Sequence, residues 1–436
     1  MQCRFYTPLD KTGRTASLLS IIMVAALLLV SATASADVVL DWNAIAVETA
    51  VANSANPFAQ ARYAAIVQLA VFEAVNSITG QYQPYLGTIV APSGASPDAA
   101  AAQAAHNVLV HYFQASQATL DNQLAASLAQ MPDGQAKTDG IAVGQAAAAA
   151  MIALRASDGS APAKFYTPGP PVPGAWQATP SCPVINGIAV GAFYHWQNVT
   201  PFGIPDAHAY LLAPPPELTS NLYAKAYNEV MTVGSLISTE RSQDRADVVH
   251  FYAASSPTLV FNQAAQQVAQ ERAHSPSENA RALALINMAI SDAAVATFDT
   301  KYHYKFWRPE TAIHNAALDG NDKTPPDATY TPFIPTPCFP GYPSAHGVLS
   351  NSAREVMENL YAPGPISITL STTAVPGVTL RYTTLTQITD DIADARVYGG
   401  IHFRTDQDAG EKLGERVGQY IYTHNLRPAH GKSGGR

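Results

Sequence analysis

Apolar residues recur in this chain at helical spacing over most of its length, and that periodicity restricts the fold to packed helices. Beginning at Tyr63, they fall at Ile66, Val67, Ala70, Val71, Ala74, Val75 and Ile78, the i, i+3, i+4, i+7 pattern of a helix with one buried face. Ala101, Ala104, Ala105, Val108, Leu109 and Tyr112 repeat it. Gly140 to Leu154 is almost entirely small and apolar, which predicts a helix buried on several sides. Leu222, Tyr223, Ala226, Tyr227 and Val230 form the next stripe, and a further helix is predicted over Asp244 to Tyr252. Ser275-Pro276-Ser277-Glu278 is a capping box with proline at the first helical position. The helix it opens carries Leu285, Ile286, Ala289, Ala293 and Ala296 on one face and runs to about Tyr304, with Lys301 in its last turns. These stripes are core. His106 and His111, on or beside one of them, read as structural.

Two stretches depart from this pattern. Ala161 to Pro216 holds Pro168-Gly169-Pro170-Pro171, Trp176, Trp196 and Pro214-Pro215-Pro216. Proline at this density blocks helix, so a long ordered loop is predicted, wrapping the bundle and walling part of a site entrance. His195 and His208 lie in it and read as surface residues. Ile366, Ile368 and Leu370 alternate, as do Val378, Leu380 and Tyr382, with Pro376-Gly377 between; this is one small β-hairpin. The fold class is therefore all-α: a large helical bundle with long Pro-rich loops and a single hairpin.

Residues 1–36 have the form of a signal peptide. Arg4, Lys11 and Arg14 precede an apolar run from Ser17 to Val30, and Ala34-Ser35-Ala36 fits a cleavage site before Asp37. The alternative is an uncleaved anchor, although the run is short of the roughly 20 residues a span needs. No later stretch reads as a span, so an exported body, periplasmic or secreted, is expected without stable membrane insertion. It reads as one helical domain over 37–436, with the first helices and the Pro-rich loop at 37–216 and a catalytic bundle at 217–430. The 1–36 segment carries a net +2 of the chain's −8, leaving −10. That excess argues against nucleic acid as a partner; any anion site must be local. Cys182 and Cys338 remain after Cys3. They permit a disulfide, and two buried thiols are the alternative.

Three blocks between Lys301 and Asp406 carry the chemistry. Lys301 and Arg308 stand seven residues apart around a helix end. Arginine offers an oxyanion a bidentate fork, and lysine a point charge. Pro343-Ser344-Ala345-His346 precedes Val348, Leu349, Val356, Met357 and Leu360 at helical spacing. Ser344 is thus an N-cap, with a helix starting at Ala345 and free backbone N–H groups facing an anion. Arg396 and His402 flank Gly399-Gly400, with a helix predicted to start near His402. Asp406, one turn on, can orient the imidazole. Taken singly, these are a solvated charge, an ordinary cap and an ion pair beside a buried histidine.

In order, the Lys-x6-Arg-Pro, Pro-Ser-x-His and Arg-x5-His-x3-Asp blocks resemble the superfamily of vanadium-dependent haloperoxidases and type 2 phosphatidic acid phosphatases. The wording Phe306-Trp307-Arg308-Pro309 and Tyr342-Pro343-Ser344-Ala345-His346 is similar to its exported bacterial haloperoxidase-like branch. The blocks cover roughly the last third of the chain; Val39 to Asn43 and Arg62 to Val67 extend the likeness loosely upstream. The resemblance implies vanadate as cofactor, with hydrogen peroxide, halide and small organic acceptors as partners. Lys301, Arg308 and Arg396 would neutralise its oxygens. Ser344 would donate its hydroxyl, and Ala345 its backbone N–H. His346 would be the acid–base, His402 the axial ligand and Asp406 its orienter. Phe339, five residues before Ser344, would line the halide site.

Two residues depart from the family pattern. Ala345 stands where glycine is usual, which bears on how closely the backbone can approach the anion. Ala395 stands where serine often precedes the arginine. The same site without vanadium would serve a soluble acid phosphatase working through a phosphohistidine at His402, because vanadate mimics the transition state of phosphoryl transfer. A non-catalytic anion-binding protein is a third reading, opposed by the presence of His346, His402 and Asp406. A zinc hydrolase is disfavoured, since three cations would repel the metal.

Overall fold

The computed structural model describes residues 37–361 and 364–429, so the expected signal segment lies outside the described residues. Thirteen α-helices are present among them. The first five are α1 (Val38–Ala52), α2 (Pro57–Thr79), α3 (Pro97–Tyr112), α4 (Gln117–Ala129) and α5 (Gln135–Arg155). After the Pro-rich stretch come α6 (Asn221–Val233), α7 (Gln243–Ala254), α8 (Pro257–Arg272), α9 (Pro276–Tyr304) and α10 (Pro309–His314). The last three are α11 (Ala345–Tyr361), α12 (Leu385–Tyr398) and α13 (Arg404–His424).

Helix α9 organises the core. Its capping box forms as predicted: Glu278 N donates to Ser275 Oγ, and Ser275 N donates back to the Glu278 carboxylate at 2.9 Å. By length and composition α9 could cross a membrane, contrary to the expectation that no later stretch could. Nearly all of it is buried, however, because α1, α2, α8, α11 and α13 all pack against it. One hydrophobic cluster draws side chains from both sides of residue 216, from α1, α2, α3 and α5 as well as α8, α9, α11, α12 and α13.

Helices α11 and α13 approach closely because α13 presents Gly410, Gly414 and Gly418 to α11. A Cβ at Gly414 would lie 2.5 Å from the Val348 carbonyl oxygen, and one at Gly418 would lie 2.6 Å from that of Ser352. This contact brings the two helix N-termini side by side.

Helix α5 corrects one expectation. Gly140, Val143, Gly144, Ala147, Ala148, Met151 and Arg155 are buried, all on one face, while Gln145, Ala146 and Ala149 are exposed or partly so. Alanine on the outer face misled the reading, since a methyl group is tolerated on either side of a helix.

The predicted hairpin is present, with β3 (Ile368–Ser371) antiparallel to β4 (Thr379–Tyr382). A second, shorter one was not anticipated: β1 (Val184–Ile185) pairs with β2 (Ile188–Ala189) inside the Pro-rich loop, around Asn186 and Gly187 in left-handed conformation. That loop is fastened to α9. The buried Asp292 carboxylate accepts N–H groups from Phe202, Gly203 and Ile204 at 2.6–2.9 Å. His195, expected at the surface, is buried beside Trp196, and its Nδ1 accepts the Lys164 N–H at 3.2 Å.

Candidate active site

The three sequence blocks meet where α9 ends and α11 and α13 begin. Lys301 lies in the last turn of α9, and Arg308 is the N-cap residue of α10. Ser344 precedes α11, accepting the Gly347 N–H at 3.3 Å as a cap does. Arg396 ends α12. The Gly399-Gly400 turn, with Gly400 in left-handed conformation, then delivers His402. Helix α13 starts at Arg404, two residues after the predicted start. Ser344 N donates to the Asp406 carbonyl at 2.9 Å, tying the second block to the third.

Asp406 holds His402. Its Oδ2 faces His402 Nδ1 at 2.8 Å and accepts the Phe403 N–H at 3.2 Å, at the N-terminal turn of α13. The carboxylate fixes the proton on Nδ1, leaving a lone pair on Nε2. That nitrogen lies 2.8 Å from Arg308 Nη1. Arg308 also donates to the Ile401 and Phe339 carbonyls, each at 2.9 Å. Lys301 Nζ donates to the Pro340 and Gly341 carbonyls at 2.7 and 2.8 Å.

These bonds do not exhaust the donors. Arg308 Nη2 and Arg396 Nε and Nη1 are buried without a protein partner. Arg308 and Arg396 stay protonated at neutral pH beside a single buried carboxyl group, Asp406, so positive charge is in excess here. Burial, reinforced by neighbouring cations, holds Lys301 well below its ordinary value. Burial is likewise the main cause that lowers Arg308 to about 9, and it lowers Arg396 to about 10. The His402 imidazole is held far down by burial and by Arg308, Lys301 and Arg396. Burial raises Asp406 despite attraction from Lys301 and Arg308.

A cavity of about 170 Å³ opens onto His346, Arg396 and His402. Phe58, Phe193, Phe339 and Leu349 line it, and Ala345 contributes its methyl group. His346 is enclosed by protein but keeps partial exposure to this space. Burial and the Arg396 charge lower it, against opposing attraction from the Tyr252 and Ser255 backbone at the end of α7. Lys301, Arg308 and Ser344 are fully buried behind the cavity surface. Phe339 packs beneath two cations, with Lys301 Nζ 5.2 Å and the Arg308 guanidinium 5.0 Å from its ring centre.

All nine residues singled out from sequence thus lie in one region. The reading missed Phe58, Phe193, Leu349 and the α7 terminus, whose sequence neighbourhoods carry only core or loop signals. His106, His111, His195 and His208 line no part of this cavity.

Comparison with known proteins relates the C-terminal bundle and the fold to known families. The family model described as the VCPO second helical-bundle domain matches residues 281–431. The vanadium chloroperoxidase of Curvularia inaequalis is 28% identical over 184 residues, 35% of this chain and 30% of that protein. The match therefore spans under a third of the relative's length. A solved bacterial vanadium-dependent iodoperoxidase superposes with a TM-score of 0.77 at 23% identity, over 91% of this chain and 98% of that one. A holo-type bacterial vanadium-dependent chloroperoxidase superposes at 0.67 with 17% identity, over 84% of this chain and 91% of that one. The chain shares the fold of the vanadium haloperoxidases, and its last third matches their second helical-bundle model.

The site's donors suit a tetrahedral oxyanion. Unpartnered guanidinium N–H groups, an imidazole lone pair and excess buried positive charge are what a tetrahedral oxyanion needs and what a metal cation would avoid. Among the described residues no cluster of histidine, cysteine or carboxylate side chains could hold a metal ion. Ala345, in place of the usual glycine, begins α11 in regular helical conformation, where a methyl group costs little.

Proposed function

We propose that this haloperoxidase-like protein binds vanadate at His402 and uses hydrogen peroxide to oxidise a halide to hypohalous acid. The observation that carries the reading is the set of buried, unpartnered N–H groups of Arg308 and Arg396 around an imidazole whose tautomer Asp406 fixes. His402 Nε2 would be the protein ligand. Lys301, Arg308 and Arg396 would neutralise the anion, with Ser344 and the first N–H groups of α11 as further donors. Vanadate, when bound, supplies a Lewis-acidic centre that activates hydrogen peroxide without changing its own oxidation state.

The chain's own residues then have distinct tasks. The three cations would hold the anion's negative charge and draw electron density away from the peroxide oxygen that halide attacks. His346, neutral because burial and Arg396 disfavour its charged form, can accept a proton on its ring and return it. The aromatic walls limit water around the reacting groups, which strengthens each charge interaction. On the 1–36 pattern alone we place the enzyme outside the cytoplasm.

The test is bromination of a phenolic dye by purified protein with hydrogen peroxide and bromide, with added vanadate and in metal-free buffer. Vanadate-dependent bromination supports the reading. Phosphomonoester hydrolysis that vanadate inhibits, without bromination, would replace it with the phosphatase reading and make His402 a nucleophile.

A further inference from the structure

Proline density makes one segment of the site wall hard to hold in place. Residues 319–344, between the short turn at Ala316–Leu318 and α11, contain seven prolines: 325, 326, 332, 335, 337, 340 and 343. A proline has no N–H to donate. Between Pro335 and Pro340, the one backbone N–H bonded to a backbone carbonyl among the described residues is that of Phe339. It bonds Pro337, inside the segment itself, at 2.9 Å. From Pro335 to Pro340, then, no backbone N–H fixes the chain to the bundle, although the flanking N–H groups of Ile334 and Gly341 bond the Gly399 and Phe306 carbonyls at 3.1 and 2.8 Å, and Thr336 Oγ1 donates to Glu310.

It is held through its acceptors. On one side, three consecutive carbonyls, those of Phe339, Pro340 and Gly341, take the N–H groups of Arg308 and Lys301. On the other side lies the Pro-rich loop. Ser181 Oγ donates to the Thr336 carbonyl at 3.2 Å, Ala192 N donates to the Cys338 carbonyl at 2.7 Å, and Cys182 is disulfide-bonded to Cys338. The covalent tether thus falls on the residue immediately before the three carbonyls that orient two of the site's cations.

We propose that the Cys182–Cys338 disulfide is a positioning element for the anion site: it holds the 336–341 segment so that Lys301 and Arg308 are aimed at the bound oxyanion. Without it, the remaining donors to the segment from the loop are two hydrogen bonds, and the loop can withdraw. Lys301 would then lose both of its fixed acceptors, and Arg308 would lose the one that fixes its Nε, keeping only Ile401 and His402. Helices α9, α11 and α13, in or beside which Lys301, Ser344 and His402 lie, have their own core and do not need the bridge to form. The inference rests on the reading of this region as an oxyanion site, and it does not require that the oxyanion be catalytic.

The experiment is titration calorimetry of orthovanadate, and separately of inorganic phosphate, into wild type and the Cys182→Ser/Cys338→Ser double variant, well below either melting temperature. A bridge with a purely structural role lowers the folded fraction, and so the binding stoichiometry, but leaves Kd alone. The positioning role leaves stoichiometry near wild type and weakens Kd at least tenfold. If the double variant fails to fold, the folded wild type is instead reduced with a phosphine. That breaks the S–S bond, gives two thiols and forms the phosphine oxide with oxygen from water; the same rise in Kd is expected. Val268→Ala, a core substitution in α8 away from the site, is the control for lost stability and should keep the wild-type Kd.

A Kd within twofold of wild type in the bridge-free protein overturns the proposal. So does a wild type that binds neither anion, since no anion site then exists to position. A wild type that binds vanadate without halogenating refutes the proposed activity instead and leaves this proposal to be decided by the Kd ratio.

Discussion

Arg396→Met separates the stability of this protein from its chemistry. Arg396 is 5% exposed, and its Nε and Nη1 have no protein partner. Burial lowers its pKa from the ordinary arginine value to about 10. At pH 7 the group is charged in both folded and unfolded chains, so the lowering is a cost to the anion-free fold. At about 1.4 kcal/mol per tenfold change it amounts to roughly 3 kcal/mol. Methionine keeps an unbranched apolar stem of similar reach and removes the charge. With an unfolding entropy of about 2.1 cal/mol/K per residue over roughly 400 residues, 3 kcal/mol corresponds to a rise of about 3–4 °C in Tm. Vanadate should act unequally on the two proteins. At 100 times its Kd it should stabilise wild type by about 2.7 kcal/mol and the variant far less, while the variant's halogenation rate falls about 10²–10³-fold, as for loss of an oxyanion donor. The assay is differential scanning calorimetry with and without vanadate, beside dye bromination. A variant that melts below wild type in anion-free buffer, or that keeps the wild-type vanadate shift, refutes the argument that Arg396 is an uncompensated charge awaiting an anion.

Replacing His402 with Ala should abolish vanadate-dependent turnover; wild-type rates in that variant would remove the proposed ligand. Asp406→Asn should weaken vanadate binding about 10–100-fold, the usual cost of losing a ligand's orienting partner, and unaltered binding by calorimetry would count against its role. The same variant tests the charge balance. Burial raises Asp406 to about 7 in the fold, so the folded state binds a proton that the unfolded chain has released. Stability of wild type relative to Asp406→Asn should therefore fall as pH rises from about 4 to 7 in anion-free urea titrations; a rising difference would reverse the assignment. Gly414→Ala should destabilise the fold by about 1–3 kcal/mol through overpacking against the Val348 carbonyl, and a neutral result would show that α11 and α13 can separate at no cost.

Helix signals local to the chain were readable wherever a cap or a stripe declared them. The Ser275 capping box gave the start of α9, and Ser344 gave that of α11. The same logic applied to Ser256-Pro257 would have found α8, because Ser256 Oγ caps it by accepting the Leu259 N–H at 3.2 Å. Helix α5 was misjudged because its alanines fit inside or outside equally well. The β1–β2 hairpin escaped notice because two-residue strands have too few side chains to show alternation. His195 was misplaced because burial within an irregular loop leaves no periodic trace.

The sequence by itself determined that the chain is helical, that it is interrupted by proline, and that three spaced blocks hold cations, two histidines and an aspartate suited to an oxyanion. Each of those follows from residue type and short-range spacing. Tertiary structure alone decided the rest. It paired Cys182 with Cys338 across 156 residues, and it brought Phe58 and Phe193 from distant segments to the cavity beside His346. It also left the guanidinium groups of Arg308 and Arg396 with unpartnered N–H groups. The physical reason is that a hydrogen bond left unmade depends on which elements pack around the donor. That is a property of the assembled core, and no stretch of sequence contains it.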